Sequence, residues 1–550
     1  MKFRNYIKSA IRGGMLLSAL VLGGQLQAQM SGTYTINSAA ITGGTNFQTW
    51  TAFATAFNAA AITGPVTVNV LTDELNTAAA IQLNNNTGSS ATNTLTINGG
   101  SKRLQGASTL TYAVLRYNGV DNVILKNLII ENTNASTPGG IWITNNANYN
   151  EINGCEISFT TYAGTSSLTY YIALSTSVSS PTSAGSSALT NPGNYNLIKN
   201  CKMYTQSGST GPYYGVTING NTADYTSVAQ NNTMEGCTMT NFYYYGIYIN
   251  YGNGVQVVNN DISRNNATGG GSATLYGIYT YYPYGTGRSS MISGNSIHDL
   301  PFKGATLTTT NLSSIYGFYV YYPYGNATYK FIMDKNSVKD VVYTTGSRYV
   351  YYVYYPTFID MTNNYVDNVD GTSTSSTSYD YYVYYPTDIK FNGNYALNSA
   401  TGGYLYIFYL YYGKVSTYTW NEFMDNHAER NITVNYMYAA YVYYYNGTNN
   451  WKANRNYVVN NQVTGSTGYF YFYLYYYNNF EVCNNVVAGN RSNTIYIYIY
   501  SGLSGTFTAE VRNNTFVGNT SNAPTPGSSY IYCYIYLYYH TVWFTGTSSI

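Results

Sequence analysis

Met361-Thr-Asn-Asn364-Tyr-Val366 and Phe391-Asn-Gly-Asn394-Tyr-Ala396 are two copies of one short phrase. The phrase has a central position, with an apolar residue three positions before it and another apolar residue two positions after it. The residues in between vary. A repeat of this regularity indicates a solenoid, in which each coil stacks on the last and buries a shared core. The thirteen central positions are Leu128, Cys155, Cys201, Cys237, Asn260, Asn295, Asn336, Asn364, Asn394, Asn421, Asn456, Asn485 and Asn514.

The residue before the central position is Asn or Gly in ten of the thirteen copies, as at Asn363 and Gly393. These two residue types tolerate a left-handed backbone, so the pattern predicts a tight bend. The following asparagine then turns inward, and stacked amides hydrogen-bond from coil to coil away from water. Lys335, Trp420 and Arg455 depart from the pattern, and we expect wider or distorted turns there.

A helix is predicted at the start of the repeat region, between residues 46 and 61. Each later coil contains at least three strand segments, and a short amphipathic helix before the first one would cover the open end of the solenoid. The apolar residues with helical spacing are Phe47, Trp50, Phe53, Ala54, Phe57 and Ala61.

The capping helix, the three-strand coils and the asparagine column resemble the right-handed parallel β-helix proteins of the pectate-lyase-like superfamily, particularly exported bacterial repeat proteins. The resemblance covers about residue 46 to the C-terminus. It implies an all-β, right-handed parallel β-helix of about 13 or more coils with an N-terminal capping helix. It fixes no activity, because this scaffold carries lyases, glycosidases, adhesins and proteins without any chemistry.

The N-terminus predicts export. Residues 1–28 have a basic start, an apolar stretch and the small residue Ala28 at the end, as in a signal peptide. We therefore divide the chain into this signal, an N-terminal segment with the capping helix (29–64) and the β-helix (65–550). No stretch is long enough for an integral membrane segment, so we expect a secreted or cell-surface protein. The last coil lacks a bend asparagine, and we expect the chain to be truncated there.

Charge and cysteine content narrow the function. Only 8% of the residues are charged and the net charge is +2, which argues against a nucleic-acid partner. Cys155, Cys201 and Cys237 share the central position in successive coils. They are either a disulfide or metal site, or a column of small buried side chains. Stacked neighbours point in parallel, which suits a disulfide poorly and favours the second interpretation.

A second phrase, Tyr-x-Tyr-Tyr, recurs from Tyr279 onward with Val, Leu or Thr at x. Strand alternation places x inward and the first and third tyrosines outward. The sequence thus predicts two columns of exposed tyrosines over nine coils. The last copy is assigned to begin at Tyr536.

Three interpretations of these columns stay open. They form a purely structural aromatic ladder, a platform on which sugar rings or another flat polymer stack, or a surface for self-association or another protein. The candidate ligand-binding residues are Tyr352, Tyr354, Tyr382, Tyr384, Tyr409, Tyr411, Tyr441, Tyr443, Tyr473 and Tyr475.

The densest polar run, residues 421–430, holds the only candidate acid/base site: Glu422, Asp425, His427 and Arg430. It is either the site of a polysaccharide-degrading lyase or glycoside hydrolase, or the solvated turn after one bend. An outward column four residues before the central positions is expected to form surface ion pairs, Asp360 with Lys390 and Lys452 with Glu481. Its members are Asp360, Lys390, Thr417, Lys452, Glu481 and Glu510.

No motif for a metal or a cofactor is present, so we predict neither. The sequence favours a non-catalytic adhesion, scaffold or glycan-binding protein. The alternative is a polysaccharide-degrading enzyme.

Overall fold

The computed structural model describes residues 28–543, so residues 1–27 of the predicted signal peptide lie outside the described part. The internal segments left out are 108, 110–111, 135–138, 161–165, 176–190, 207–210, 222–228, 265–273, 301–313, 344–345, 372–373, 414–419, 444–449, 477–478, 502–506, 522–529 and 538–539.

The described chain winds as a right-handed parallel β-helix with three sheets, as predicted. One coil runs through Thr377–Tyr384, Ile389–Asn392 and Tyr395–Leu397 with Ala400–Thr401, and the next coil begins at Tyr404–Tyr411. Each strand pairs in parallel with the equivalent strand one coil away. We call the three sheets the tyrosine sheet, the second sheet and the third sheet, in the order of this coil.

The tyrosine sheet has fifteen strands. They are Ile81–Asn84, Ala113–Asn118, Gly139–Thr144, Tyr170–Leu174, Tyr214–Asn219, Tyr245–Asn250, Thr274–Tyr281, Ser314–Tyr321, Ser347–Tyr354, Thr377–Tyr384, Tyr404–Tyr411, Tyr436–Tyr443, Tyr469–Tyr476, Thr494–Ser501 and Tyr530–Leu537.

The second sheet has eighteen strands. They are Ala28–Ile36, Asn46–Phe47, Ala60–Val70, Leu95–Asn98, Val123–Lys126, Glu151–Asn153, Leu197–Lys199, Thr233–Glu235, Gln256–Val258, Met291–Ser293, Phe331–Asp334, Ile359–Thr362, Ile389–Asn392, Asn421–Met424, Trp451–Asn454, Phe480–Cys483, Phe507–Arg512 and His540–Trp543.

The third sheet has twenty strands, some coils contributing two. They are Glu74–Thr77, Arg103–Gly106, Ile129–Asn132, Glu156–Phe159, Lys202–Thr205, Thr238–Thr240, Asp261–Ser263, Ser296–His298, Ser337–Tyr343, Tyr365–Gly371, Tyr395–Leu397, Ala400–Thr401, His427–Glu429, Ile432–Thr433, Tyr457–Val459, Gln462–Val463, Val486–Ala488, Arg491–Ser492, Thr515–Val517 and Thr520–Ser521.

The capping helix spans Trp50–Ala59, shorter than the predicted 46–61. It begins after Thr49, whose side chain accepts a hydrogen bond from the Ala52 N–H. The helix buries Trp50, Phe53, Ala54 and Phe57 against the first coils. Ala28–Ile36 precedes it and pairs in parallel with Ala60–Val70, so the N-terminal segment supplies a strand as well as the helix.

The predicted amide ladder forms inside the bend between the second and third sheets. Asn364 and Asn394 are fully buried. The Asn364 amide nitrogen donates to Asn394 Oδ1 (3.0 Å) and to the Met333 carbonyl (2.9 Å), and the Asn364 backbone N–H also donates to Asn394 Oδ1 (3.1 Å). Each ladder asparagine therefore binds both neighbouring coils.

The predicted ladder member Asn421 is wrong, and Asn426 takes its place. Asn394 Nδ2 donates to Asn426 Oδ1 (3.2 Å), and Asn426 Nδ2 donates to Asn456 Oδ1 (2.9 Å). Asn421 instead begins a strand of the second sheet. Both asparagines fit the repeated phrase, because an apolar residue stands three before and two after each of them.

The expectation of distorted turns at Lys335 and Arg455 is also wrong. Their φ angles are 55° and 56°, equal to the 54° of Asn363. The third exception, Trp420, does not precede a ladder residue, because Asn421 is not in the ladder. Asp425 precedes the true ladder residue Asn426, and its φ angle is 57°. A left-handed L-residue costs roughly 1–2 kcal/mol, which the buried ladder bonds offset.

Two further ladders escaped the sequence analysis. One follows the first by five residues and joins Asn431, Asn461, Asn490 and Asn519. The other precedes the second sheet in the early coils and joins Asn150, Asn196 and Asn232. Asparagine amides are thus paired along the axis before the second sheet in the early coils, between the second and third sheets, and between the two strands of the third sheet in the later coils.

The inner side of the tyrosine sheet also holds a buried ion pair. Arg348 donates to Asp380 Oδ1 (2.7 Å) and to the Val369 carbonyl (2.6 Å), with both charged side chains at most 1% exposed. Burial raises the pKa of Asp380 to about 6, against the opposing charge of Arg348.

Candidate functional site

Four columns of stacked tyrosines cover the outer side of the tyrosine sheet from about Tyr245 onward, where two were predicted. Column 1 contains Tyr214, Tyr245, Tyr276, Tyr316, Tyr349, Tyr379, Tyr406, Tyr438, Tyr471, Tyr496 and Tyr532. Column 2 contains Tyr248, Tyr279, Tyr319, Tyr352, Tyr382, Tyr409, Tyr441, Tyr473, Tyr498 and Tyr534. Column 3 contains Tyr281, Tyr321, Tyr354, Tyr384, Tyr411, Tyr443, Tyr475, Tyr500 and Tyr536. Column 4 contains Tyr251, Tyr282, Tyr322, Tyr355, Tyr385 and Tyr412.

Columns 2 and 3 are the predicted ones, and all ten candidate ligand-binding tyrosines belong to them. The inward positions between them are also as predicted, with Val353 and Val383 fully buried. The assignment of the last coil is wrong by two residues: Tyr534 lies in column 2 and Tyr536 in column 3.

Column 1 was missed because most strands of this sheet carry one extra buried residue that interrupts strict alternation. In Thr377–Tyr384 the consecutive residues Asp380 and Tyr381 are both buried, so Tyr379 and Tyr382 both point outward. The sequence signal was present, since a tyrosine stands three residues before the first tyrosine of the phrase in most coils. Column 4 was missed because its tyrosines follow the strand with left-handed φ angles of 49–56°.

The rings within a column stack nearly face to face. Ring centroids in column 2 lie 4.8–5.4 Å apart from Tyr248 to Tyr498, with interplanar angles of 2–14°. Such stacked pairs contribute about 0.5–1.5 kcal/mol each. Most of these side chains are half-buried, because each ring covers its neighbour.

This stacking changes what the surface offers to a ligand. The flat face of each ring is occupied by the tyrosine one coil away, so sugar rings have no free aromatic face to stack on along the columns. What remains accessible is a row of ring edges and hydroxyls that repeats once per coil. Columns 2 and 3 run side by side, with centroids 6.0 Å apart at Tyr352–Tyr354 and at Tyr382–Tyr384.

In the N-terminal coils, the residues at the outward positions of this sheet are buried. Trp142, Ala173 and Thr217 align with column 2 but are fully buried. Arg116 lies over the Trp142 ring at 4.2 Å, and Tyr170 packs in the same cluster. The open tyrosine face is therefore confined to the later coils.

The candidate acid/base residues lie on different elements of one coil. Glu422 lies on the second sheet, Asp425 in the bend, and His427 on the third sheet, stacked between Tyr395 and Tyr457 at 4.6 and 4.8 Å. Burial lowers the pKa of His427. None of these residues belongs to the tyrosine sheet.

Their charges are already paired. Asp425 accepts two bonds of 2.7 Å from Arg455, and Arg430 binds Glu429 and the Asn398 side chain. Glu422 accepts a hydrogen bond from Asn392 Nδ2 (2.6 Å). The residues thus behave as surface contacts between coils.

In the charged column, the position predicted for Thr417 is occupied by Glu422, which pairs with Lys390 and Lys452 in the sheet. Thr417 itself lies outside the described residues. The column reads Asp360, Lys390, Glu422, Lys452, Glu481, Glu510 along the sheet. Lys452 pairs with Glu481 at 3.3 Å as expected, whereas Asp360 pairs with Lys330 (3.0 Å) rather than with Lys390.

The cysteine column is a stack of free, buried thiols. Cys155, Cys201 and Cys237 are at most 1% exposed, and the Cys201 N–H donates to Cys237 Sγ at 3.4 Å. A hydrogen bond with Cys201 and burial raise the pKa of the Cys155 thiol. These residues fill the ladder position as small apolar side chains, the second of the two interpretations.

Within the described residues, no group of three or more His, Cys, Asp or Glu side chains is placed to hold a metal ion. No helix in the described part of the chain has the length and apolar character needed to cross a membrane.

Comparisons with known proteins give matches among solved structures and none by sequence. No protein-family model matches the chain, and no curated protein matches it by sequence. Among solved structures, a family 136 lacto-N-biosidase from Eubacterium ramulus is similar with 9% identity and a TM-score of 0.34, covering 70% of this chain and 67% of that one. The PL6 family alginate lyase AlyGC is similar with 9% identity and a TM-score of 0.18, covering 94% of this chain and 100% of that one.

Proposed function

We propose that this chain is an exported, non-catalytic β-helix that binds an extended, neutral polysaccharide along columns 2 and 3. The observation that supports this most directly is the axial repeat of the tyrosine hydroxyls, one per coil in each column. Export rests on the predicted signal at residues 1–28, and the kinship to exported bacterial repeat proteins remains part of the proposal.

The repeat suits one class of polymer. Ring centroids recur every 4.8–5.0 Å from Tyr279 to Tyr382 in column 2. This spacing is close to the advance per sugar of an extended β-1,4-linked glycan. A chain lying along the axis would therefore meet the same pair of hydroxyls and ring edges at each sugar, and many weak contacts would add up along one ligand.

The charge of the surface favours a neutral polymer. The four columns are made of tyrosine alone, and the whole chain carries a formal net charge of only +2. An acidic polysaccharide such as alginate or pectin would lose hydration of its carboxylates without meeting cations in return. We expect cellulose-, xylan- or mannan-like chains to bind better than acidic ones.

Tyrosine-to-phenylalanine substitution separates the two ways in which tyrosine binds sugars. A quadruple variant, Tyr382→Phe, Tyr384→Phe, Tyr409→Phe and Tyr411→Phe, keeps the ring stacks and removes four hydroxyls from the middle of the strip. We expect weaker retardation in gels that contain hydroxyethyl cellulose or xylan, with an unchanged circular dichroism spectrum. The matched control is Tyr365→Phe with Tyr395→Phe, on the outer side of the third sheet.

Equal retardation of the quadruple variant and the wild type would show that the hydroxyl rows are not the binding site. Unaltered mobility of the wild-type protein across neutral and acidic glycans would contradict polysaccharide binding altogether. In that case, sedimentation of the same sample as a dimer would favour self-association through the tyrosine face.

The alternative function, a polysaccharide-degrading enzyme, is tested by activity assays. Both similar structures are named as enzymes that act on glycans, so hydrolysis and lyase assays on alginate, pectin and β-linked glycans belong beside the binding assay. Turnover that is lost in Glu422→Gln or Asp425→Asn would establish a site in residues 421–430. The inter-coil bonds of Glu422 and Asp425 lead us to expect no turnover.

A further inference from the structure

Column 1 is a continuous line of redox-active side chains. Its eleven tyrosines, from Tyr214 to Tyr532, have successive centroid distances of 4.6–5.1 Å and interplanar angles of 1–16°. No other residue type interrupts this line over eleven coils. Electronic overlap between neighbouring rings is therefore repeated without a gap.

The columns also contact one another within each coil. Tyr406 of column 1 lies 5.2 Å from Tyr409 of column 2, which lies 5.4 Å from Tyr411 of column 3. Tyr411 is 4.0 Å from Tyr412 of column 4. The four columns form one network, in which tyrosine rings contact one another both along and across the axis.

We propose that this network carries oxidising equivalents along the solenoid axis. A one-electron oxidant of the peroxidase or organic-radical class that oxidises one tyrosine would leave its radical free to move to tyrosines several coils away. The proposal does not depend on glycan binding, and either can hold without the other.

The step balances as proton-coupled electron transfer. The first phenol gives its electron to the oxidant and its hydroxyl proton to water, leaving a neutral tyrosyl radical. At each transfer the next phenol gives up an electron and a proton, while the radical oxygen regains both. When two radicals meet, a carbon–carbon bond forms between ring carbons ortho to the oxygens. The two displaced hydrogens return to the oxygens, so dityrosine is two hydrogens lighter than the two tyrosines.

The surroundings of the hydroxyls fit this chemistry. Burial and neighbouring phenols raise the pKa of Tyr406 and of Tyr441 to about 12. The phenols are thus neutral near pH 7, and oxidation has to release the proton together with the electron. The columns lie on the outer side of the sheet, so water can accept the proton.

The chain offers a natural place to start the reaction. Cys533 is the exposed thiol among the described residues. It takes the inward position of Ile497 in the last strand, between Tyr532 and Tyr534, whereas the other four cysteines are buried. A maleimide derivative of ruthenium tris-bipyridyl would therefore label this end of the columns. After a flash, the excited ruthenium gives an electron to a cobalt(III) ammine, which decomposes without forming a second oxidant. The ruthenium(III) left behind then takes an electron from tyrosine.

We expect peptide mass spectrometry of the flashed wild-type protein to find oxidised tyrosine and dityrosine in remote coils, around Tyr276 to Tyr354, as well as next to the label. A gap variant replaces by phenylalanine every tyrosine of two successive strands of the tyrosine sheet and of the column 4 positions that follow them. Phenylalanine stacks like tyrosine but resists oxidation. The substitutions are at Tyr379, Tyr381, Tyr382, Tyr384, Tyr385, Tyr404, Tyr406, Tyr409, Tyr411 and Tyr412. We expect loss of the products on the N-terminal side of the gap only.

The control variant carries Tyr365→Phe, Tyr395→Phe and Tyr457→Phe on the third sheet and should match the wild type. An equal amount of unlabelled, isotopically heavy protein in the same flask reports transfer between molecules, and it should stay unmodified. Products confined to the coils next to Cys533, or an identical product pattern in the gap variant, would overturn the proposal. Circular dichroism of each variant verifies that the coils are intact.

Discussion

Two stacks follow the same coils, the asparagine ladder inside the bend and the tyrosine columns outside the sheet, and they differ in how they are held. Each ladder asparagine is buried and bonded on both sides, as Asn394 is to Asn364 and Asn426. The tyrosines are half-buried and touch one another mainly through their rings. One stack satisfies backbone and amide groups that water cannot reach, and the other covers a surface.

The N-terminal coils show which stack the fold requires. They keep the parallel register of the tyrosine sheet with Trp142, Ala173 and Thr217 at the outward positions. The sheet therefore forms without tyrosine columns there, where Trp142, Ala173 and the residues packed on them bury its outer side instead. The ladder position is less permissive, because its cysteine and asparagine members are all side chains that can pack or pair in a buried bend.

The largest loss of stability is expected from a substitution in the asparagine ladder. Asn394→Ala removes the acceptor of the Asn364 N–H and amide nitrogen, and the donor to the Met361 carbonyl. Several buried polar groups would lose partners, and we expect a loss of about 4 kcal/mol in the free energy of unfolding, measured in urea. The exposed Asn398→Gly in the same coil, which keeps a residue that tolerates the left-handed φ of 54°, is the control. Equal stability of the two variants would erase the distinction between the stacks.

The second largest loss of stability is expected from breaking the buried ion pair between Arg348 and Asp380 on the inner side of the tyrosine sheet. Arg348→Met leaves Asp380 buried without its cation, and we expect a loss of about 3 kcal/mol at pH 8. The pKa of Asp380 is already raised to about 6 by burial, so the folded state takes up a proton before the unfolded state does as the pH falls. Stability tied to this carboxyl is thus present at low pH and lost as the pH rises through its folded pKa.

The loss in Arg348→Met should consequently shrink between pH 8 and pH 5, as Asp380 becomes neutral. Thermal unfolding at several pH values measures this trend, with the surface substitution Arg430→Met as the control. A deficit that is constant with pH would mean that the cost comes from lost packing of the arginine rather than from an unpaired charge.

The phrase around each bend was enough to predict the coil, the left-handed residue and the inward amide, because a buried bend restricts all three together. It failed at residues 421–426, where Asn421 and Asn426 both satisfy the same apolar spacing and only the pairing register decides between them. The ladder through Asn431 and Asn461 was visible in the sequence as a second asparagine five residues on.

The candidate site was only half predictable. Columns 2 and 3 follow from alternation, but column 1 depends in most coils on one extra buried residue in the strand, whose type differs: glycine at Gly277 and Gly317, then Val350, Asp380 and Ile407. A residue type that varies leaves no motif. The stacking that covers the ring faces also lay beyond the sequence, because it depends on side-chain tilt.

The smallest changes in the free energy of unfolding are expected for tyrosine-to-phenylalanine substitutions at two adjacent residues of one strand, one on its inner and one on its outer side. The Tyr381 hydroxyl shares its one proton between the Asn364 and Tyr395 carbonyls at 2.8 and 2.9 Å inside the core, whereas Tyr382 points outward in column 2. Tyr381→Phe should cost about 1–2 kcal/mol, because buried bonds are lost. Tyr382→Phe should change the free energy of unfolding by less than about 0.5 kcal/mol, because water replaces its partners. Urea unfolding of both variants makes the comparison at adjacent residues with identical chemistry. If Tyr382→Phe proved as costly as Tyr381→Phe, the outer hydroxyls would be part of what holds the coils together, and the tyrosine face would be structural after all.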